Sequence, residues 1–445
     1  MKLTTSYKQI LSISAPIMLA SAAQNIIVLS DNVFLYHKSE VDFAAVGLVG
    51  VFYLIIASIG YGFSRGGQIM IARKHGELDY HAVGDNFKSL LAFEAIMSIG
   101  MFIFLMYGTP SFFKLFIDRE DLYVKCLEYI YPRSFGVFFS YIGVTFLALY
   151  TGIARTKIIV YNTLVLIVVN IALNYMLIFG KFGFEPMGIA GAAWASTIAE
   201  IVAFIVFVWY MIFDKEIKAF NITNFSKVNF DLFKNTFVIS APIVWQSFVG
   251  LGSWFLFFSL IENMGNRQLE ISNLIRNIYL ILSIPCWGFS AGINTLVSNF
   301  IGNRKRQGVI PIIKKTALMS LTFTVIISIP VAIFPEFLLY PLFGSEDMSL
   351  IIDTKPYLPL LVSILTIFSI GSIFINGLTG TGHTLTALWI HSIFAVFYIG
   401  YVTLVINHFH LNLHWAWASE VFYWIGMIIV SYWYLNSKKW HVAKF

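Results

Sequence analysis

The chain has 445 residues, of which 58% are hydrophobic and only 12% charged, with a formal net charge of +6. A soluble domain carries roughly 25% charged residues, so this chain has too little polar surface to cover a water-soluble globule. The charges are also clustered, and Gln9 to Ser30, Ile158 to Gly180, Asn235 to Ile261, Asn277 to Asn303 and Thr316 to Pro335 contain no Asp, Glu, Lys or Arg. A helix needs about 20 such residues to cross a bilayer. The composition therefore predicts an all-α polytopic membrane protein. The long apolar run from Gln9, with no A-x-A site closing it, does not read as a cleaved signal peptide.

Twelve spans are expected, near 10–35, 43–70, 86–107, 122–150, 158–180, 187–213, 234–261, 269–300, 314–335, 355–378, 385–407 and 414–435. Between the tenth and eleventh only "GTGH" at 380–383 signals a turn. With the N-terminus inside, nineteen Lys and Arg fall on inner segments: Lys2, Lys8, Arg73, Lys74, Lys88, Arg155, Lys157, Lys215, Lys218, Lys227, Lys234, Arg304, Lys305, Arg306, Lys314, Lys315, Lys438, Lys439 and Lys444. Seven fall outside: Lys38, Lys114, Arg119, Lys125, Lys181, Arg267 and Lys355. The excess of inner basic residues places both termini in the cytoplasm. The basic 214–233 stretch reads as the linker between an N-lobe over 1–220 and a C-lobe over 221–445. The positive charge thus reports topology and attraction to anionic lipid, and no nucleic-acid motif is present. Cys126 and Cys286 lie in apolar surroundings and offer neither a disulfide framework nor metal-ligand spacing.

"GFSRG" at 62–66 has the G-x-S-x-G spacing of a hydrolase nucleophile elbow. It recurs as "GFSAG" at 288–292, and "ISAP" at 13–16 recurs at 239–242. Both pairs are 226 residues apart, as are Tyr53 and Tyr279, and Gly76 and Gly302. The chain is therefore two six-span halves. An even number of spans per half keeps both in one orientation, related by a pseudo-two-fold axis along the membrane normal. A duplicated serine at the end of a helical span argues against a single catalytic nucleophile, and the chain is not expected to be an enzyme. Gly62, Gly66, Gly288 and Gly292 fit the small-xxx-small pattern that lets helix backbones approach closely.

"SAPIML" in span one, Asp31 in "SDNVF", "AAVGL" opening span two, "GYGFSRGGQIMIARKHG" and "NIALNYMLIFGKFGFEPMGIAGAAWAS" together resemble the multidrug and toxic compound extrusion (MATE) family. The resemblance runs over about 400 residues, both halves included. It implies a monomeric secondary antiporter in the bacterial cytoplasmic (inner) membrane. Such a protein expels amphipathic, usually cationic compounds in exchange for H+ or Na+, from a cavity between two six-helix lobes, with no cofactor. The alternative within the broader superfamily is a flippase for lipid-linked sugars. That role calls for several basic cavity residues, and only Arg65, Arg133 and Arg276 are interior candidates.

The resemblance makes Asp31 the cation-coupling residue. A carboxylate at helix depth costs roughly 2.5–3.5 kcal/mol on insertion scales, so it marks either function or an interfacial position. Pro16, which removes a backbone hydrogen bond, is the expected hinge of span one. Asn170 and Asn174 share a face of span five, and with Asp31 offer oxygens for Na+. Many family members carry Asp where this chain has Asn174, which leaves the cluster short of a second carboxylate. Ser196 matches a family Thr near the cation site. Glu200, on the same face, is expected to supply the missing acid or to pair with an intramembrane Arg such as Arg65. In the second half, Gly250 and Phe368 stand near positions where some relatives have acids. Glu270, Asn273, Arg276 and Glu420 are expected as a cavity lining or an ion pair, with Arg276 paired to Glu270 or Glu420. His408, His410 and His414 have the spacing of a weak metal motif without acids or cysteines.

Overall fold

Long apolar runs become helices because a bilayer offers backbone N–H and C=O groups no water, so each must be paired within its own segment. The structure, a computed structural model, describes residues 4–222, 230–336, 339, 348–437 and 439–442. Part of the linker and the basic residues Lys2, Lys227, Lys438 and Lys444 lie outside these described residues. The spanning helices are α1 (Tyr7–Tyr36), α2 (Glu40–Gly76), α3 (Tyr80–Ile103), α4 (Glu120–Gly152), α5 (Lys157–Phe179), α6 (Gly188–Phe213) and α7 (Phe230–Glu262). They continue with α8 (Asn266–Leu282), α9 (Ile284–Gly302), α10 (Val309–Ile333), α11 (Leu358–Gly380), α12 (Thr384–Thr403) and α13 (Leu413–Asn436). Among the described residues there is no strand.

Among the described residues, eleven helices are long and apolar enough to cross a membrane, and α8 with α9, bent by 47°, makes a twelfth span if counted as one. Helices α10 to α13 are therefore spans nine to twelve. The sequence pattern predicts a continuous eighth span. The break falls at Ser283, just before Pro285 in the first turn of α9. Proline lacks the N–H that would continue the ladder and disfavours helical geometry in the residue before it. The weak boundary between spans ten and eleven is a three-residue turn in which Gly382 adopts φ +91°. Large apolar side chains face outward all along the helices, with Val168 66%, Trp209 63% and Phe397 68% exposed. Such surfaces need lipid around them.

Packing divides the chain into one unit of residues 19–244 and another of 1–18 with 245–445. In the first, α4 is the most enclosed span and packs against α2, α3 and α6. Its core contains Leu35, Val49, Tyr53, Ile130, Tyr141 and Ile178. In the second, α11 holds the equivalent place against α9, α10 and α13. Its core contains Phe257, Ile275, Leu365, Tyr398 and Trp417.

The duplicated motifs meet inside these units. Gly66 on α2 lies against Ser240 on α7, so close that a Cβ at position 66 would stand 1.9 Å from Ser240 Oγ. Ser240 Oγ donates to the Phe63 carbonyl at 3.0 Å. In the other unit Gly292 on α9 lies against Ser14 on α1, where a Cβ would stand 2.4 Å from Ser14 Oγ. Ser14 and Ser240 are themselves 226 residues apart. Each small-residue groove thus receives the serine of an "ISAP" motif from the other sequence half. Ser64 is buried within α2 and donates to the Val144 carbonyl at 2.5 Å, a helix-packing contact and not a nucleophile elbow.

Candidate functional site

The polar residues of the 19–244 unit converge from three helices. Asp31 of α1, only 7% exposed, accepts a hydrogen bond at 2.5 Å from Asn174 Nδ2 of α5. The same amide nitrogen donates to Asn170 Oδ1 at 3.1 Å, one helical turn away. Asn170 Nδ2 in turn donates to Ser196 Oγ of α6 at 3.1 Å. The structure therefore joins Asp31, Asn174, Asn170 and Ser196 in one chain of hydrogen bonds across α1, α5 and α6. Asn170 and Asn174 are fully enclosed, and Asn174 Oδ1 is buried without a hydrogen-bond partner. Asn174 Nδ2 stands between two oxygens, Asp31 Oδ1 and Asn170 Oδ1. That placement also fixes which way the amide points, because turning it would set its oxygen against both acceptors.

Glu200 lies one turn beyond Ser196 on α6. Its partner is Arg133 of α4, at 2.8 Å, and not Arg65. The expectation of Arg65 came from position along the span; the pairing came from α4 packing against α6. The Arg133 guanidinium also lies 4.1 Å from the centroid of the Tyr53 ring on α2 and acts electrostatically on Asp31. Its Nε and Nη1, and Glu200 Oε2, are buried without hydrogen-bond partners. A salt bridge with spare donors and acceptors beside a buried carboxyl group can rearrange when that group changes charge.

Asp42, near the start of α2, accepts from the Ile189 backbone N–H at 3.2 Å. This bond fixes the start of α6, and hence the register that carries Ser196 and Glu200. Pro16 lies inside α1, which runs without a break from Tyr7 to Tyr36.

In the other unit the expected ion pair is not formed. Glu270 is exposed just past the first turn of α8 and pairs with Arg267 at 3.0 Å, because Arg267 sits three residues away at the same helix end. Arg276 lies over the Phe258 ring, 4.9 Å from its centroid, and is not joined to Glu270 or Glu420. Glu420 on α13 instead accepts from the indole N–H groups of Trp254 and Trp424. Asn273 is half-buried on α8. Among the described residues no group of three or more His, Cys, Asp and Glu side chains could hold a metal. His414 instead stacks on Tyr357, with ring centroids 4.2 Å apart.

The sequence reading did not single out Glu94, which is the one charge between Lys88 and Lys114. It is completely buried on α3, and both carboxyl oxygens lack hydrogen-bond partners. Arg133, an interior base on sequence alone, likewise stands as the one charge between Glu128 and Arg155. In a membrane span that isolation is itself the signal.

The sequence model of the family described as MatE matches residues 16–176 and 242–405, one copy in each half. The chain belongs to the MatE family. It is 25% identical over 97% of its length, and 93% of the relative's, to a probable multidrug resistance protein NorM of Thermotoga maritima. It is 26% identical to a protein of the same description from Photorhabdus laumondii, over 72% of this chain and 71% of the relative. Its fold matches a solved structure described as the outward-facing conformation of a multidrug resistance MATE family transporter, with a TM-score of 0.89 and 17% identity. That match covers 98% of this chain and 97% of the other. Membership of MatE and this fold make the chain a multi-pass membrane transporter with the two-lobe architecture that the 226-residue repeat predicts.

Proposed function

We propose that this transporter expels amphipathic, cationic compounds across the bacterial inner membrane in exchange for protons, with Asp31 as the proton-binding group. Both termini face the cytoplasm, and 1–220 and 221–445 are the two repeated halves of the transporter. The observation that carries the reading is the hydrogen-bonded chain from Asp31 through Asn174 and Asn170 to Ser196. The description of the NorM relatives as multidrug resistance proteins supports drug-like substrates.

Ionised Asp31 takes a charge-assisted bond from Asn174, the stronger class of hydrogen bond. Once protonated, the acid becomes a donor and needs an acceptor. The same amide carries an acceptor without a partner, Asn174 Oδ1. Turning that amide releases Asn170, and through it Ser196. Proton uptake therefore loosens the tie between α1, α5 and α6, and Pro16 gives α1 a place to bend. Substrate and proton must favour different arrangements, or nothing is coupled. Each charge moving inward gains about 2.3 kcal/mol per 100 mV of membrane potential.

Protons fit this pocket better than sodium. A sodium ion would have to displace the Asn174 amide from between two oxygens. It would then face one carboxylate with Arg133 acting on the same group. The flippase alternative finds less support, because Arg133 is committed to Glu200 and Tyr53. Dye uptake into everted vesicles under imposed proton or sodium gradients tests the reading. Proton gradients should drive uptake, and Asp31→Asn should abolish it at unchanged protein level. Normal transport by that variant would remove Asp31 from coupling. Uptake driven by sodium at uniform pH would replace the proton.

A further inference from the structure

Glu420 lies in the unit that does not contain Asp31, and its surroundings differ in kind. It is 3% exposed on α13. Trp254 Nε1 of α7 donates to Oε1 at 3.0 Å, and Trp424 Nε1 donates to Oε2 at 2.9 Å. Both donors are neutral. Among the described residues no basic side chain forms an ion pair with it.

Aromatic rings close the site from every packed helix. Tyr279 of α8 lies 5.3 Å from Trp254, and Phe368 of α11 lies 4.7 Å from Trp424. Tyr423 of α13 lies 5.1 Å from Trp424 and 5.7 Å from Tyr398 of α12. The titratable or charged groups in this shell are Tyr279, Tyr398, Tyr423, His391 of α12 and, farther out, Arg276. His391 lies 5.8 Å from Tyr423, with a buried Nδ1 that has no partner. Arg276 is held over Phe258.

Three occupants are conceivable for a buried carboxylate: a metal, an organic cation and a proton. A metal needs further ligating side chains, which the described residues do not supply here. An organic cation needs an open face, and both oxygens are covered by indoles within a closed ring shell. Only a proton is small enough. The two states of the group are also both provided for. Two indole N–H donors hold the anion, and the Tyr398 hydroxyl, which also interacts with this carboxyl group, can accept from the neutral acid.

We propose that Glu420 is a second proton-binding site of this transporter, titrating independently of Asp31. A proton from water adds to one carboxylate oxygen, and the indole facing that oxygen loses a charged acceptor for a neutral one. The part this plays in transport rests on the antiporter reading above, whereas the protonation itself does not.

The test uses the full chain in lipid nanodiscs and follows pH-difference infrared spectra in the protonated-carboxyl region, alongside tryptophan fluorescence. The wild type should show a carboxyl component that Glu420→Gln removes and Asp31→Asn retains, with a fluorescence transition at the same midpoint. An unchanged set of carboxyl components in Glu420→Gln would overturn the proposal. If that variant does not fold, Trp254→Phe and Trp424→Phe serve instead. Each should displace the midpoint by about one pH unit, and a midpoint unmoved by both would overturn it. Vesicle transport by Asp31→Asn is read separately, so the coupling role of Asp31 can fail while the Glu420 result stands.

Discussion

A methyl group at Gly66 should destabilise the protein, and the geometry says which second change repairs it. The new Cβ would stand 1.9 Å from Ser240 Oγ, 2.8 Å from its Cβ and 2.9 Å from its Cα. Shortening Ser240 to Ala removes only the first of these contacts, along with the bond to Phe63. Overpacking of this kind costs about 1–3 kcal/mol, and at roughly 1.4 kcal/mol per tenfold the folded-to-unfolded ratio should fall by about 5- to 150-fold. Membrane helices have little hydrophobic drive to associate, so close packing carries more of their cohesion. The counterpart at Gly292 behaves differently. There the Cβ would stand 2.4 Å from Ser14 Oγ but 3.5 Å from Ser14 Cβ, an ordinary contact. Ser14 Oγ is buried with no partner, so Ser14→Ala alone should cost nothing. Gly292→Ala should therefore be fully rescued by Ser14→Ala. Gly66→Ala should be only partly rescued by Ser240→Ala, and better by Ser240→Gly. Thermal unfolding in nanodiscs, arranged as two double-mutant cycles, reads both. Wild-type stability of Gly66→Ala, or failure of Ser14→Ala to rescue Gly292→Ala, would refute the packing argument.

Arg133→Met should cost about 3 kcal/mol by leaving Glu200 without its cation, and adding Glu200→Leu should recover most of that in the same thermal assay. Equal instability of the single and double variants would mean the pair matters through shape alone. Glu94→Leu should raise stability by about 1–3 kcal/mol, since it removes a buried carboxyl group with two unsatisfied oxygens; a lower unfolding midpoint would show that Glu94 has a necessary partner. Asn174→Asp should make efflux respond to sodium, because two carboxylates at that separation need a cation between them. Efflux indifferent to sodium in that variant would count against the reading of the pocket.

Much of this was legible in the sequence because membrane segments leave few alternatives. The charge-free runs mark the helices, and the 226-residue offset marks the two halves. Asn170 and Asn174 could be placed on one face because helical spacing alone decides it. The partner of Glu200 could not, because it lies 67 residues away on a neighbouring helix. The broken eighth span was equally hidden. Pro16, Pro132, Pro242 and Pro330 all sit inside continuous helices, whereas Pro285 coincides with a bend. The repeated glycines announced a close helix approach but not which helix would fill the groove. That choice is made by tertiary packing, and no local pattern encodes it.

The boundaries between the packed units fall at residues 18 and 244, inside α1 and inside α7. What the chain repeats and what it assembles are therefore different pieces. A lone six-helix repeat would present an empty glycine furrow and, at its other end, a serine-bearing stub with nothing to dock into. Two such repeats on separate polypeptides could complete each other only by trading their opening turns.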